Sequence, residues 1–106
     1  MRYQIMRLMI MFDLPMVSSE DRRNYRRFRK ALISEGFFMM QFSVYVRVCA
    51  NSKNAKAVEQ RIAAITPKEG LVQSVMLTEK QYQAMHFISG EPNRDIINSA
   101  ERTIMI

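Results

Sequence analysis

The stretch Tyr3–Phe12, YQIMRLMIMF, decides the fold because it is nearly continuous in apolar residues and yet too short for a buried helix of ordinary length. Asp13, Leu14 and Pro15 end it. An apolar run of this kind predicts a central strand of a sheet that is covered on both faces. The run is also too short for a membrane span or for the hydrophobic region of a signal peptide, so we expect neither.

Two helices are predicted downstream of this strand. Residues 18–21 (SSED) combine a capping serine with early acids, which suit the positive end of a helix dipole. This helix should run to about Glu35, where Gly36 stops it. The second helix covers Lys53–Ile65, and Thr66 followed by Pro67 ends it. Its apolar residues recur at helical spacing: Ala55, Val58, Ile62 and Ile65.

Extended runs occupy most of the remaining chain. Ser43–Cys49 alternates, with three valines on one face and Ser43, Tyr45 and Arg47 on the other, which predicts a half-buried strand. The other extended runs are Phe37–Gln41, Leu71–Leu77 and a shorter one at Tyr82–Ile88.

The order of these elements predicts an α/β (α+β) protein with a ferredoxin-like βαββαβ arrangement and an extra C-terminal strand. Residues 1–90 form this domain, and residues 91–106 form an arm for docking to a dimer mate or partner. The helices cover one face of the sheet, yet the first strand is apolar on both sides. We therefore expect a homodimer whose sheets pack face to face.

Composition restricts the class of protein. The chain has 106 residues, enough for one domain, and 48% of them are hydrophobic, which is ordinary for a folded protein. The single cysteine, Cys49, excludes an internal disulfide and a cysteine-built metal site. A reducing compartment is the natural expectation, and the sequence therefore predicts a cytoplasmic protein with no membrane contact.

The positive charge is concentrated in one segment. The formal net charge is +6, and Arg22–Lys30 holds six bases and no acid, so the rest of the chain is balanced. If Tyr25, Phe28 and Leu32 face inward on a helix, the bases face outward or flank that face. A solvated helix face is one explanation, but a nucleic-acid phosphate contact is the better one. The predicted contact residues are Arg22, Arg23, Arg26, Arg27 and Lys30, with Arg29 flanking.

Asp13 is the candidate catalytic and metal-binding residue. Taken alone, a carboxylate at the end of a strand is more often a turn residue. In a homodimer, a two-fold axis near the strand ends would bring Asp13 and its symmetry mate together, and the pair could hold Mg²⁺, with Mn²⁺ as an alternative. Ser43 and Tyr45 are candidates for phosphate contact or ordinary outward residues, and the only histidine, His86, is expected to be structural.

Three motifs together resemble those of a known family. They are Phe12-Asp13-Leu14-Pro15, the segment RRNYRRFRK at 22–30, and Gly36-Phe37 followed by QFSVY at 41–45. The combination resembles the CRISPR-associated protein two family, the small subunit of the spacer-acquisition machinery. It covers roughly the first half of the chain, and its Phe-Asp-Leu-Pro form is similar to the subgroup that accompanies single-protein RNA-guided nucleases.

The resemblance implies a ferredoxin-like homodimer that bridges two dimers of an integrase subunit and lies along the double-stranded DNA of an incoming fragment. It also implies a Mg²⁺-dependent endonuclease in which Asp13 is the metal ligand. Many relatives carry further acids just after that aspartate, whereas Leu14–Val17 carries none. This departure weakens the case for catalysis and leaves the case for a DNA-binding scaffold intact.

Two alternatives remain open at this point. One is a stand-alone, metal-dependent endoribonuclease of the virulence-associated protein D toxin type, which shares the fold and would need Asp13 but no integrase. The other is an RNA-recognition module, because Gly36-Phe37-Phe38 is loosely similar to its aromatic motif, although the position along the chain is wrong. A neighbouring integrase gene would favour spacer acquisition over the toxin.

Overall fold

A computed structural model of the protein describes residues 4–91. The predicted arm at 91–106 lies outside them apart from Glu91. In chain order the elements are β1 (Met6–Asp13), α1 (Ser19–Ser34), β2 (Phe38–Gln41), β3 (Val44–Cys49), α2 (Ser52–Ile65), β4 (Leu71–Thr78) and α3 (Glu79–Gln83). The strands form one sheet in the order β2-β3-β1-β4, and neighbouring strands are antiparallel. The predicted α+β, ferredoxin-like fold is confirmed.

Strand β1 lies in the middle of the sheet and is buried on both faces, as predicted. Leu8, Ile10 and Phe12 point toward the core that α1 and α2 cover. Met9 points to the opposite face, into a smaller cluster with Val46 and Tyr82. The near-continuous apolar sequence of β1 therefore follows from burial in two separate clusters.

Both ends of α1 have the local chemistry that the sequence predicts. Ser18 is the N-cap: its hydroxyl accepts from the backbone N–H of Asp21, whose carboxylate accepts in return from the N–H of Ser18. At the other end, the N–H of Gly36 donates to the carbonyl of Ile33, and the N–H of Phe37 donates to the carbonyl of Leu32. Gly36 has φ of 93°, so the helix ends in a Schellman motif that favours glycine.

The strand expected at Tyr82–Ile88 is wrong, because the chain forms the short helix α3 at Glu79–Gln83 and no strand between there and residue 91. Thr78 and Gln81 form a capping box that starts this helix directly after β4. Tyr82 and Met85 then pack on the second face of the sheet. Part of the cover that the sequence led us to expect from a second copy therefore comes from the chain itself.

No helix within residues 4–91 is long and apolar enough to cross a membrane.

Candidate nucleic-acid interface and carboxylate site

The outer face of α1 carries four exposed bases with no hydrogen bond or ion pair to any other part of residues 4–91. Phe28 and Leu32 anchor the opposite side of the helix in the core, which fixes the direction of this face. Such a cluster repels itself unless an anion binds it, and guanidinium groups match phosphate oxygens well. The four residues are Arg23, Arg26, Arg27 and Lys30, and we call them the basic face.

The two flanking arginines are tied to the protein. One Nη of Arg22 donates to the carbonyls of Val17, at 2.8 Å, and Met16, at 3.3 Å, and so braces the loop before α1. The Nε of Arg29 donates to the hydroxyl of Tyr45 at 2.8 Å. Arg22 is nevertheless exposed, so its remaining donors still face solvent. Of the six basic residues in Arg22–Lys30, the outward four are the ones whose side-chain donors contact no other residue of 4–91.

The structure places Tyr45 in the core, where its side chain is only 1% exposed. The possibility that Tyr45 contacts phosphate is therefore wrong. Its ring stacks on Phe12 with a centroid distance of 5.7 Å, and its hydroxyl is occupied by Arg29. Ser43, by contrast, is partly exposed at the turn between β2 and β3.

Asp13 is the last residue of β1 and is exposed. Its carboxylate has no hydrogen-bond or ion-pair partner within residues 4–91. By strand alternation it belongs to the face that Met9 and Met11 occupy, opposite α1 and α2. Its backbone is held closely by Gly70, because a Cβ at that glycine would lie 2.7 Å from the carbonyl oxygen of Asp13. A closely packed strand end therefore presents a carboxylate that has no partner among residues 4–91.

A shallow cavity of about 270 Å³ lies at this strand end. Asp13, Ser43 and Gln73 contribute polar side chains to its lining, and Phe42 forms part of its wall. Sequence reasoning missed Gln73 and did not assign a role to Phe42. The only signal for Phe42 is an aromatic residue at a tight turn between two strands.

The donor set at this cavity fits part of a magnesium shell. Mg²⁺ takes oxygen ligands, usually one or two carboxylates completed by water and substrate phosphates, and Asp13 supplies one such carboxylate. No group of three or more His, Cys, Asp or Glu in residues 4–91 could hold a metal ion. His86 is exposed and does not line the cavity. Asp13 is the one carboxylate among the described residues that line this cavity.

One partly buried ion pair, between a buried arginine and a carboxylate that is 33% exposed, has no counterpart among the sequence predictions. Arg7 is fully buried on the second face and makes two hydrogen bonds to Glu79, Nε to Oε2 at 2.7 Å and Nη2 to Oε1 at 2.8 Å. Its guanidinium also lies 4.3 Å from the centroid of the Tyr82 ring. These hydrogen bonds hold the pKa of Glu79 below its ordinary value. The pair fixes α3 against β1, on the same face as Asp13.

Comparison with known proteins identifies the family. The family model for CRISPR associated protein Cas2 matches residues 6–85, which is most of the described fold. The chain belongs to the Cas2 family. A protein of Lacticaseibacillus rhamnosus called CRISPR-associated endoribonuclease Cas2 is 64% identical over 101 residues, which cover 95% of this chain and all of that protein. Proteins with the same description from Ligilactobacillus salivarius and Treponema denticola are 58% and 42% identical over the same coverage.

Membership of the Cas2 family confirms the resemblance found in the sequence. The family match favours this family over the virulence-associated protein D type of toxin. The RNA-recognition alternative is contradicted by the structure, because Phe37 is 4% exposed and packs in the core, where it cannot meet a base. The three similar proteins are described as endoribonucleases.

Proposed function

We propose that this Cas2-family protein is the homodimeric, double-stranded-DNA-binding scaffold of a CRISPR adaptation complex, bridging integrase subunits in the cytoplasm. The observation that carries the proposal is the basic face of α1. Its four exposed bases lack any partner in residues 4–91 and occupy one side of a helix anchored at both ends. The backbone of a DNA duplex presents phosphates along a line. This arrangement suits basic side chains that are spaced along an α-helix.

The second face of the sheet supports a dimer with its sheets packed together. Helix α3 covers only part of this face. Leu71 and Val75 of β4 share it by strand alternation, and they are 56% and 37% exposed. Asp13 belongs to the same face, so packing two sheets there would bring the two Asp13 carboxylates toward a common axis. The dimer thus accounts both for the apolar residues and for the missing second carboxylate.

We also propose a Mg²⁺-dependent endonuclease activity at Asp13, consistent with the description of the relatives as endoribonucleases. Asp13 and its symmetry mate would hold the ion, with Mn²⁺ as an alternative. A bound divalent ion lowers the pKa of a water and neutralises charge on a phosphodiester. The role of this chain is to hold one carboxylate at the end of β1, in the cavity that Ser43 and Gln73 also line.

DNA binding is tested by removing charge from the basic face. The variant Arg23→Gln, Arg26→Gln, Arg27→Gln should bind duplex DNA more weakly, and the slope of log K against log salt should become shallower by about 0.9 for each phosphate that the variant no longer neutralises. The matched control removes three exposed lysines elsewhere, with Lys53→Gln, Lys56→Gln and Lys80→Gln. Equal loss in the two triple variants would show that only net charge matters and would overturn the assignment.

Cleavage is tested with Asp13→Asn, which keeps the size of the side chain and removes its charge. Labelled RNA and DNA are incubated with wild type and variant in Mg²⁺, in Mn²⁺ and with a chelator. We expect metal-dependent cleavage by the wild type only, with unchanged duplex binding by the variant. Cleavage that persists in Asp13→Asn would place the activity elsewhere in the protein.

A further inference from the structure

Phe42 is exposed in an unusual place. It lies at the tip of the β2–β3 hairpin and is 76% exposed, in a turn of the kind that is usually formed by polar residues or glycine. One side of its ring stacks on Tyr25, with a centroid distance of 6.3 Å and an angle of 24° between the ring planes. Aromatic pairs at this distance attract each other. Tyr25 therefore supports one side of the Phe42 ring, and most of the side chain faces solvent.

The position of Phe42 is coupled to that of Asp13 by two contacts. The backbone N–H of Phe12, the residue before Asp13, donates to the carbonyl of Ser43, the residue after Phe42, at 3.0 Å. Tyr25, which supports Phe42, also packs against Phe12 at a centroid distance of 5.8 Å. Asp13 and Phe42 thus line the same cavity on a common support.

The turn itself adopts a conformation that most residues avoid. Ser43 has φ of 64°, the left-handed region that disfavours residues with a Cβ. Among residues 4–91 it is the only residue other than glycine with positive φ. Backbone strain of this kind persists where the surrounding structure imposes it, and such positions concentrate at functional sites. Here the strained residue directly follows Phe42, and both residues line the cavity at Asp13.

We propose that Phe42 is a stacking platform for one unpaired nucleobase of the strand whose phosphate lies at Asp13. The inference deepens the proposed endonuclease function and rests on it. An exposed ring fits any base, because every base has a π-face, and such stacking is largely independent of sequence. Bases inside a duplex are already stacked on each other, so this site takes a single strand or a frayed end.

The cavity favours a nucleotide over other occupants. At about 270 Å³ the shallow cavity falls just below the range of pockets for drug-sized ligands, and this size suits one base. The lining is mainly apolar and includes the polar residues Asp13, Ser43 and Gln73, so the site suits a ligand with a flat apolar face and a polar edge. A nucleotide, with its base and phosphate, has both.

The test uses 2-aminopurine, whose fluorescence falls when the base is stacked. Short single-stranded RNAs carrying 2-aminopurine at each position in turn are titrated with the Asp13→Asn protein, which separates binding from cleavage. We expect quenching at one position, its loss on adding Phe42→Ala, and its retention on adding Phe42→Tyr. Affinity should fall about 5- to 150-fold for Phe42→Ala, as when other stacking aromatics are removed.

Ile88→Ala is the matched control, because Ile88 is 97% exposed and does not line the cavity. It should leave the quenching unchanged. Quenching that survives Phe42→Ala, or that is absent from every position in the Asp13→Asn protein, would overturn the stacking role. A change of oligomeric state in Phe42→Ala by size-exclusion chromatography would also overturn it, by showing that the ring contacts a second copy.

Cleavage kinetics separate failure of this inference from failure of the proposed function. In the protein that keeps Asp13, the substitution Phe42→Ala should raise KM more than it lowers kcat. An RNA with an abasic nucleotide at the stacked position should be cleaved equally by both proteins. Cleavage that depends on Asp13 but is unaffected by Phe42→Ala would leave the endonuclease in place and remove the platform.

Discussion

The Nε of Arg29 lies 2.8 Å from the hydroxyl of Tyr45 and donates a hydrogen bond to it. This contact divides the basic segment into two parts with different roles. Arg29 satisfies the polar end of a core tyrosine, whereas the residues of the basic face have no partner within 4–91. Charge in the sequence therefore overstates the number of bases that are free to bind a phosphate.

Tyr45→Phe tests that division. The variant removes one side-chain hydrogen bond and keeps the ring in the core, so the free energy of unfolding should fall by about 0.5–1.5 kcal/mol. Duplex DNA affinity and its salt dependence should not change. Urea denaturation and fluorescence titration measure the two effects, and a variant that binds DNA much more weakly while remaining folded would contradict the structural role of Tyr45.

Glu79→Ala should be strongly destabilising because it leaves the charge of Arg7 buried and unpaired. Losing one partner of a buried pair costs about 3–5 kcal/mol. The control is Glu35→Ala, which breaks the exposed pair with Arg61, at 2.9 Å, and should cost about 1 kcal/mol or less. The double variant Arg7→Met, Glu79→Ala should recover most of the loss, as measured by thermal unfolding. Equal costs for the two single variants would contradict this account.

The same pair should give stability a dependence on acid pH. Hydrogen bonds from Arg7 lower the pKa of Glu79 from its ordinary value of 4.5. A carboxyl group with a lowered folded-state pKa contributes stability above the unfolded-state pKa and loses it as the pH falls through the folded-state pKa. The Tm of the wild type should therefore fall below about pH 4.5 more steeply than that of the double variant. Equal dependence of Tm on pH in the wild type and the double variant would contradict a stabilising role of the Arg7–Glu79 pair.

Gly70→Ala should disturb the end of β1. Gly70 has φ of 97°, and an added Cβ would lie 2.7 Å from the backbone oxygen of Asp13 and 2.9 Å from a methyl of Leu14. The control is Gly90→Ala, since Gly90 has φ of 84° with nothing within 4 Å of the same Cβ. Both substitutions carry a backbone cost of about 1–2 kcal/mol, and Gly70→Ala should cost more because of the clash. Thermal unfolding measures the stability of both variants. Equal losses of stability would show that the end of β1 moves to accommodate the added methyl group without cost.

The elements of the core could be predicted from sequence because their signals were local. Ser18 and Gly36 mark the ends of α1 by capping chemistry, and the apolar run of β1 indicated cover on both faces. The antiparallel order of the sheet then followed from the order of the elements. These features need no information about distant residues.

The errors came partly from a local signal that was overlooked and partly from contacts between distant residues. The apolar residues at Tyr82–Ile88 favoured a strand, but Thr78 and Gln81 form a capping box and Tyr82 and Met85 have helical spacing. Alternation in β3 could not show which side faced the helices, because both Tyr45 and Val46 are buried. Burial of Arg7 depends on Glu79, 72 positions away, so no local pattern indicated it.

The candidate site was predicted in part. The position of Asp13 at the end of a strand and the helical periodicity of α1 predict that Asp13 and the basic face are exposed. In the structure these residues are exposed. The cavity beside Asp13 joins β1, β4 and the β2–β3 turn, and only the folded chain brings Phe42 and Gln73 to it. The homodimer, the metal ion and the DNA contact stay predictions.

The most direct test of the proposed scaffold is spacer acquisition in cells that carry the integrase and a CRISPR array. Three versions of the protein are compared: wild type, Asp13→Ala, and Arg23→Gln, Arg26→Gln, Arg27→Gln, with equal protein levels verified by immunoblot. We predict that Asp13→Ala acquires spacers at the wild-type rate while the arginine variant acquires none. Loss of acquisition in a folded, DNA-binding Asp13→Ala protein, or normal acquisition by the arginine variant, would contradict the account.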